Sequence, residues 1–491
     1  MDEAVPVAAK VATYRNYVGG EWIDADAHFD DFNPYDGELI ARAPAGTRAD
    51  AASAVARARE AFAEWSVSPP EARQRVFLRA ADLMEARRDD LLATLAAETG
   101  ASAGFGGFQL KRAVSELRQA AGWVYQPKGE LIPSDSPGAT HMAVRRPLGV
   151  VAGISPWNGA LVLAWRTVVP PIAFGNTVVL KPSELAPLSA GLLVAEVMEE
   201  AGLPAGVLNV VAHAPGAAAE IADEFFENDA VRCLNFTGSS RTGRMLAERA
   251  GRHLKRIVLE LGGYNPLIVL ADVDLDYAVE ATAFGAFFHQ GEICMNARKA
   301  IVEREIYDEF LARLRARTER LPVGDPADPT TVVGPLITAD ALGAVRERIE
   351  EAVGLGATLV TGGEVEGPCL RPTILADVPE AASIYREEAF GPVLVVEPAE
   401  GVDEAVRIAN DHRYGLTAGI LTSDPDLGLE MARRLESGIV HVNDQTIHDE
   451  AQMPLGGVRD SGWGRAGPHS VEDFTHVQWV SVQEGRRKFP I

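Results

Sequence analysis

Residues 233–263 read CLNFTGSSRTGRMLAERAGRHLKRIVLELGG. Cys233 to Phe236 and Ile257 to Leu261 are short, unbroken apolar runs, the signature of strands buried on both faces. Between them Thr242 to Leu254 has helical spacing, with Met245, Leu246, Ala250 and Leu254 expected to face inward. Strand, glycine-bearing loop, helix and strand together form one unit of a doubly wound parallel sheet. The loop Phe236-Thr237-Gly238-Ser239-Ser240-Arg241-Thr242-Gly243 puts a helix N-terminus where it can meet a phosphate, and it reads equally as a plain helix cap. It is not a P-loop, because Arg244-Met245 stand where Lys and Ser/Thr would be required. Glu260 interrupts the second strand ahead of Gly262-Gly263, and buried carboxylates are rare unless paired or functional.

The same alternation extends in both directions. Upstream lie strands at Val150 to Ile154, Thr177 to Leu180 and Val207 to Ala212, with a helix at Leu188 to Ala201. Earlier still, the chain is expected to begin helically, with helices at Ala49 to Trp65 and Pro70 to Thr99 that the glycine-rich Gly100 to Gly107 punctuates. Leu131-Ile132 and Met142-Ala143-Val144 flank Ser136-Pro137-Gly138 as a hairpin. Downstream, a second αβ series runs through Leu267 to Leu270, Thr358 to Val360, Val393 to Val396, Ala418 to Leu421 and Ile439 to Val442. It carries Cys294, and the chain closes on a strand at Gln478 to Val482. A thiol able to attack a carbonyl carbon and a carboxylate able to deprotonate water are the parts that thioester chemistry needs.

Composition narrows the class. The 491 residues exceed what one core usually holds, and 47% hydrophobic with 24% charged residues is ordinary for a globular enzyme. A net charge of −24 argues against nucleic-acid and anionic-membrane partners. No apolar run reaches a membrane span, and the acidic start MDEAVPVAAKVATYRN is not a secretory signal. Three scattered cysteines (Cys233, Cys294, Cys369) fit a reducing, cytoplasmic setting. Signatures for zinc proteases, CxxC sites, serine-nucleophile elbows and EF-hands are absent, and His289, His441 and His448 do not form a metal set. Gly462-Trp463-Gly464-Arg465-Ala466-Gly467 matches GxGxxG literally but follows no apolar strand and opens no periodic helix.

Seven stretches, taken in order, resemble the NAD(P)-dependent aldehyde dehydrogenase superfamily over almost the whole chain. They are Ser155-Pro156-Trp157-Asn158, Gly175 to Glu184 (GNTVVLKPSE), Phe236 to Ser239, Leu259 to Gly263, Gly291 to Cys294, Glu388 to Pro392, and Pro454 to Gly457. The resemblance implies an α/β fold of two doubly wound domains plus a small β oligomerisation element. It places a cofactor domain at 1–124 and 148–262 and a catalytic domain at 263–458. The oligomerisation hairpin and C-terminal strand fall at 125–147 and 475–491, and the assembly is a homodimer or homotetramer. Cys294 is implied as nucleophile, Asn158 with the Cys294 backbone N–H as oxyanion donors, and Glu260 as the base for deacylation. Lys181, Ser183 and Glu184 are implied at the adenine ribose, Gly238 and Ser239 at the pyrophosphate, and Glu388 with Phe390 at the nicotinamide ribose. Glu184 favours NAD, with NADP possible because Lys181 stands close by.

Three positions depart from the commoner pattern: Gly159 and Ala160 replace a bulky aromatic and a proline, and Arg166 stands where many relatives place an aromatic. With Gln290 to Met295 and His448 to Pro454, this resembles the aromatic-aldehyde branch of benzaldehyde, salicylaldehyde and vanillin dehydrogenases. Gly159 is expected to open space beside the oxyanion site. Arg166 is expected either to recognise a polar or anionic group, as in a semialdehyde dehydrogenase, or to make a structural ion pair. Glu292, Tyr264 and Leu455 also replace commoner residues. A catalytically silent scaffold is the reading from a different class, and the retained Asn158, Glu260 and Cys294 speak against it.

Overall fold

The computed structural model describes residues 11–491; the first ten residues, part of the start read above for a signal segment, lie outside the description. Two large sheets organise the chain. The first has at its centre five parallel strands in the spatial order Arg256–Glu260, Val231–Thr237, Val150–Ile154, Thr177–Lys181, Leu208–Val210. Strand order therefore reverses between Val150–Ile154 and Val231–Thr237, and ligands of such sheets bind beyond the carboxyl ends of the strands at that switch. The second sheet runs Thr358–Thr361, Thr373–Ala376, Val393–Ala399, Lys299–Glu303, Pro266–Val269, Thr417–Leu421, Ile439–Val442, parallel except for its first strand. A third, antiparallel sheet joins Thr475–Gln483, Ala139–Pro147 and Gly129–Ile132.

Several expectations need correction. The described chain begins with strands, not helices: Asn16–Val18 and Glu21–Ile23 extend the first sheet, and His28–Phe32 pairs with Leu39–Pro44. Their alternation is too short to register against the longer helical patterns behind them. The single helix expected over Pro70 to Thr99 is two, Pro70–Ala86 and Arg88–Thr99, broken at Arg87 where ψ turns to 18°. Gly100 does cap the second in the left-handed region, but Gly104, Gly106 and Gly107 lie inside a 21-residue helix, Ala103–Trp123, started by the Ser102 side chain. Two strands of the second sheet, Lys299–Glu303 and Thr373–Ala376, escape notice in the sequence because Arg298-Lys299 and Arg371-Pro372 disguise their starts.

The helix after the glycine loop spans Ser240–Arg252 and buries Leu246 and Ala250. Met245 is 52% and Leu254 95% exposed, so the buried stripe is narrower than expected. The strand Gly462–Trp463 pairs antiparallel with Arg256–Glu260, so the literal GxGxxG serves as an edge of the first sheet. No helix among the described residues is long and apolar enough to cross a membrane.

Candidate active site

The parallel strands bring the sequence candidates to one edge. Ile154 is in register with Lys181 and with Phe236, and Thr237 with Glu260, so the loops carrying Asn158, Lys181, Ser239 and Glu260 leave the sheet side by side. Asn158 is buried, and its side-chain N–H donates to the Glu292 carbonyl at 2.9 Å. One amide proton of Asn158 is left over. The Asn158 carbonyl in turn accepts from His289 Nε2 at 2.9 Å, and the His289 ring stacks on Phe105 with centroids 3.9 Å apart. Burial holds His289 down to about 3, so the ring is neutral and acts as a fixed donor.

The Cys294 loop leaves the second unit through three successive left-handed residues, His289 (φ 51°), Gln290 (φ 41°) and Gly291 (φ 72°). Such backbone persists only where the surroundings over-determine it. Here they do. A Cβ on Gly291 would sit 2.1 Å from the Gly391 carbonyl oxygen, so only glycine fits. Arg298, buried, donates to the carbonyls of Gly291 (2.7 Å), Ile293 (3.1 Å) and Gly391 (3.3 Å) and pairs with Glu388 at 3.2 Å. Asn265 donates to the carbonyls of Cys294 (2.7 Å) and Asn296 (2.8 Å), and the Asn296 side chain accepts the Ile293 N–H at 2.6 Å. Among the described residues the Cys294 backbone N–H donates to no backbone or side-chain acceptor. Sequence reasoning passed over Arg298, Asn265 and Asn296. Their only signal is polar residues at sites that should be apolar, beside the reactive loop.

Electrostatically the site is dry. Burial first, then Glu388 and Glu260, push the Cys294 thiol up to about 12, with Arg166 opposing. Burial pushes Glu260 up to about 8 against the pull of Arg166 and Arg465, and its Oε1 has no partner in the protein. Glu260 lines a cavity of about 20 Å³ with Arg166, Thr237, Asn235 and Arg465, room for about one water. Gly262 behind it is a contact glycine: a Cβ there would lie 2.3 Å from Glu388 Oε2.

Of the pocket candidates, Arg166 takes one of the two roles open to it and Gly159 departs from expectation. Arg166 pairs with Asp449 at 2.6 Å, their side chains 12% and 3% exposed, which is the structural ion pair and not a free anion receptor. Nor does Gly159 leave open space, because a Cβ there would already meet Leu163 at 3.1 Å and Val162 at 3.4 Å. Glu292 is buried, its carboxyl accepting from Ile337 N–H (3.1 Å) and Gln290 (3.3 Å) and pushed up to about 8. Tyr264 donates its hydroxyl to the Ile384 and Tyr385 carbonyls, close before Glu388. Leu455 is buried in the main core cluster.

On the cofactor side, Lys181 is buried and Glu184 lies one turn on, half-exposed, while Ser183 shapes that turn by accepting the Leu185 N–H at 3.2 Å. His213, which sequence reasoning did not single out, contacts Lys181 at 2.6 Å. Ser239 caps the Ser240–Arg252 helix by accepting the Thr242 N–H at 3.2 Å, leaving the first-turn N–H groups toward the strand ends. Gly238 has no room for a side chain, a Cβ lying 2.4 Å from the Phe236 ring. Across the cleft, Glu388 and Phe390 stand on the opposite unit, with Phe390 edge-on to Trp157 at 5.6 Å. A carboxylate beside a lysine and a helix N-terminus along one sheet edge, with a second carboxylate facing them from the other unit, form a donor set that fits a dinucleotide.

The aldehyde dehydrogenase family model matches residues 22–480. A vanillin dehydrogenase of Pseudomonas fluorescens is 48% identical over 464 residues, 94% of this chain and 96% of that protein. The crystal structure of a salicylaldehyde dehydrogenase from Pseudomonas putida G7 complexed with salicylaldehyde superposes with a TM-score of 0.95 at 39% identity, covering 98% of this chain and 100% of that one. A betaine aldehyde dehydrogenase from Staphylococcus aureus in complex with NAD+ superposes with a TM-score of 0.94 at 32% identity, covering 97% and 96%. With a family model over residues 22–480 and with these relatives covering 94–98% of its length, the chain belongs to the aldehyde dehydrogenase family.

Proposed function

We propose that this enzyme oxidises an aromatic aldehyde to its carboxylic acid with NAD. The observation that carries the reading is that Glu260 lies near enough to Cys294 to raise its thiol while the Asn158 side chain donates into the Cys294 loop at the Glu292 carbonyl, in a chain so similar to a vanillin and a salicylaldehyde dehydrogenase. As the Cys294 sulfur bonds to the aldehyde carbon, the carbonyl electron pair moves onto oxygen, which the spare Asn158 amide proton and the Cys294 backbone N–H receive. The thiol proton leaves to solvent, which the partly exposed Cys294 reaches, so Glu260 stays unprotonated for the second half-reaction. NAD, when bound, supplies the acceptor for the hydride that the former aldehyde carbon gives up. Glu260 then deprotonates the water that cleaves the thioester on Cys294 and releases the acid. Arg298 acts through others: it ties the nucleophile loop to Glu388, so thiol and nicotinamide-side carboxylate share one anchor.

Lys181 and Glu184 suit the two ribose hydroxyls, and the Glu184 carboxylate repels a 2′-phosphate, which supports NAD over NADP. Arg166, already neutralised by Asp449, is not available as a clamp for a semialdehyde carboxylate. Leu131, Val477 and Trp479 stand exposed on the third sheet, which supports a homo-oligomer built on that face. Initial rates on benzaldehyde, salicylaldehyde, vanillin, a medium-chain alkanal and succinic semialdehyde, each with NAD and NADP, test the reading. The ring aldehydes with NAD are expected to show the highest kcat/KM; a preference for the alkanal or the semialdehyde overturns the aromatic assignment.

A further inference from the structure

The ion pair with Asp449 uses only part of the Arg166 guanidinium. Nη2 meets Asp449 at 2.6 Å, but Nε is buried and has no partner among the described residues. Glu260 Oε1 is in the same condition. Buried polar atoms are almost always satisfied, so a donor and an acceptor both left over in one place point to a shared partner. The two side chains line the same cavity of about 20 Å³, with Asn235, Thr237 and Arg465 also in its wall. Asp449 is not in that wall, so the pair presents its cation, and not its anion, to the space beside the base. A water there can accept from Arg166 Nε–H and donate to Glu260 Oε1, with Asn235 and Thr237 at hand for the remaining bonds that a buried water makes.

The charged and titratable groups facing Glu260 are Arg166 on the helix Ala160–Ala173, Arg465 and Asp473 near the C-terminal strand, Asp449 on the loop 443–458, and Cys294. Burial pushes the carboxyl up; Arg166 pulls hardest the other way, then Arg465, while Asp473 and Asp449 push with burial. We propose that Arg166 is a positioning residue for the deacylation base: through one water in the shared cavity it orients the Glu260 carboxylate toward the thioester, and Asp449 anchors the guanidinium for that task. The inference rests on the reading of Glu260 as that base given above. It gives the buried pair a part in the reaction that a purely structural brace does not have.

The deacylation rate tests it, read by rapid quench of the acyl-enzyme formed with NAD and whichever aldehyde of the series above turns over fastest, between about pH 6 and about pH 9.5. In the wild type the rate should climb toward and through about 8. Arg166→Gln removes the cation, so its limb should move up by about 1 pH unit: deacylation about tenfold slower near neutral pH, converging on the wild-type rate at the alkaline end. Asp449→Asn removes an anion and should move the limb down. General loosening of the fold cannot produce both shifts, because water admitted to the site relieves burial and moves the limb down in either variant. Should Arg166→Gln fail to fold, Arg166→Gln/Asp449→Asn, which strands no charge, decides: the cation outweighs the anion at Glu260, so the limb should still move up. A limb that stays in place or moves down without Arg166, or that moves up without Asp449 alone, overturns the proposal. Glu260→Gln separates the two possible failures. A limb that survives in Glu260→Gln removes Glu260 as the base and the proposal with it, whereas a limb lost there but unmoved in the Arg166 variants overturns the proposal alone.

Discussion

Burial raises Cys294 to about 12 and Glu260 to about 8, so at neutral pH the thiol keeps its proton and the carboxyl keeps much of its own. Both charged forms are disfavoured for one reason, the removal of water, and each carboxylate nearby adds to the cost for the thiol. The sign for activity follows. Glu260 works as a base on the thioester-cleaving water only when ionised, so kcat should climb as pH rises toward and through about 8. Glu260→Gln should flatten that limb and lower steady turnover by about 10²–10⁴-fold, while a burst of NADH from the first half-reaction remains. An unchanged pH profile in rapid-mixing and steady-state assays would remove Glu260 from the mechanism. Cys294 and Glu260 stand out in the chain as a thiol and a carboxylate inside apolar runs. Arg298 and His213 do not, because what makes them matter is the partners that the fold delivers to them.

Between elements, the Arg166–Asp449 pair joins the helix Ala160–Ala173 to the loop 443–458, which also returns to the nucleophile loop through Thr446 Oγ1 and the Met295 carbonyl at 2.7 Å. Arg112 donates to the Asp449 carbonyl from a third element, the helix Ala103–Trp123. A buried pair of this kind contributes little net stability when intact, but loss of one partner strands the other charge at a cost of about 3–5 kcal/mol. Arg166→Ala should therefore lower the Tm by roughly 3–5 °C, and adding Asp449→Asn should recover part of the loss. A Tm within about 1 °C of wild type, read by calorimetry, would mean that the pair holds nothing together. The sequence left Arg166 poised between substrate clamp and ion pair. Its partner sits 283 positions away, a distance that spacing cannot bridge.

For the whole molecule, the third sheet is the exposed apolar feature. Trp479 is 73% exposed on a strand paired with Ala139–Pro147 through nine registered positions, and with Leu131 and Val477 it marks the face proposed for the homo-oligomer. Trp479→Asp should reduce the mass measured by light scattering from a multiple of the chain to a smaller assembly. No change in mass would place the interface elsewhere.

The sequence by itself determined the alternation of buried strands and helices, the family, and the thiol, carboxylate and amide proposed for the site, because each rests on local pattern or on short contiguous motifs. Helix bounds strayed where a break such as Arg87 carried no glycine or proline, and where glycines sat inside a helix that packing tolerates. Only the tertiary structure decided that Leu163 and Val162 fill the space beside Gly159, that Asp449 neutralises Arg166, and that Arg298 and His213 steady the two halves of the site. The physical reason is common to all four: burial, pairing and steric fit are properties of neighbours in space, and those neighbours come from distant parts of the chain.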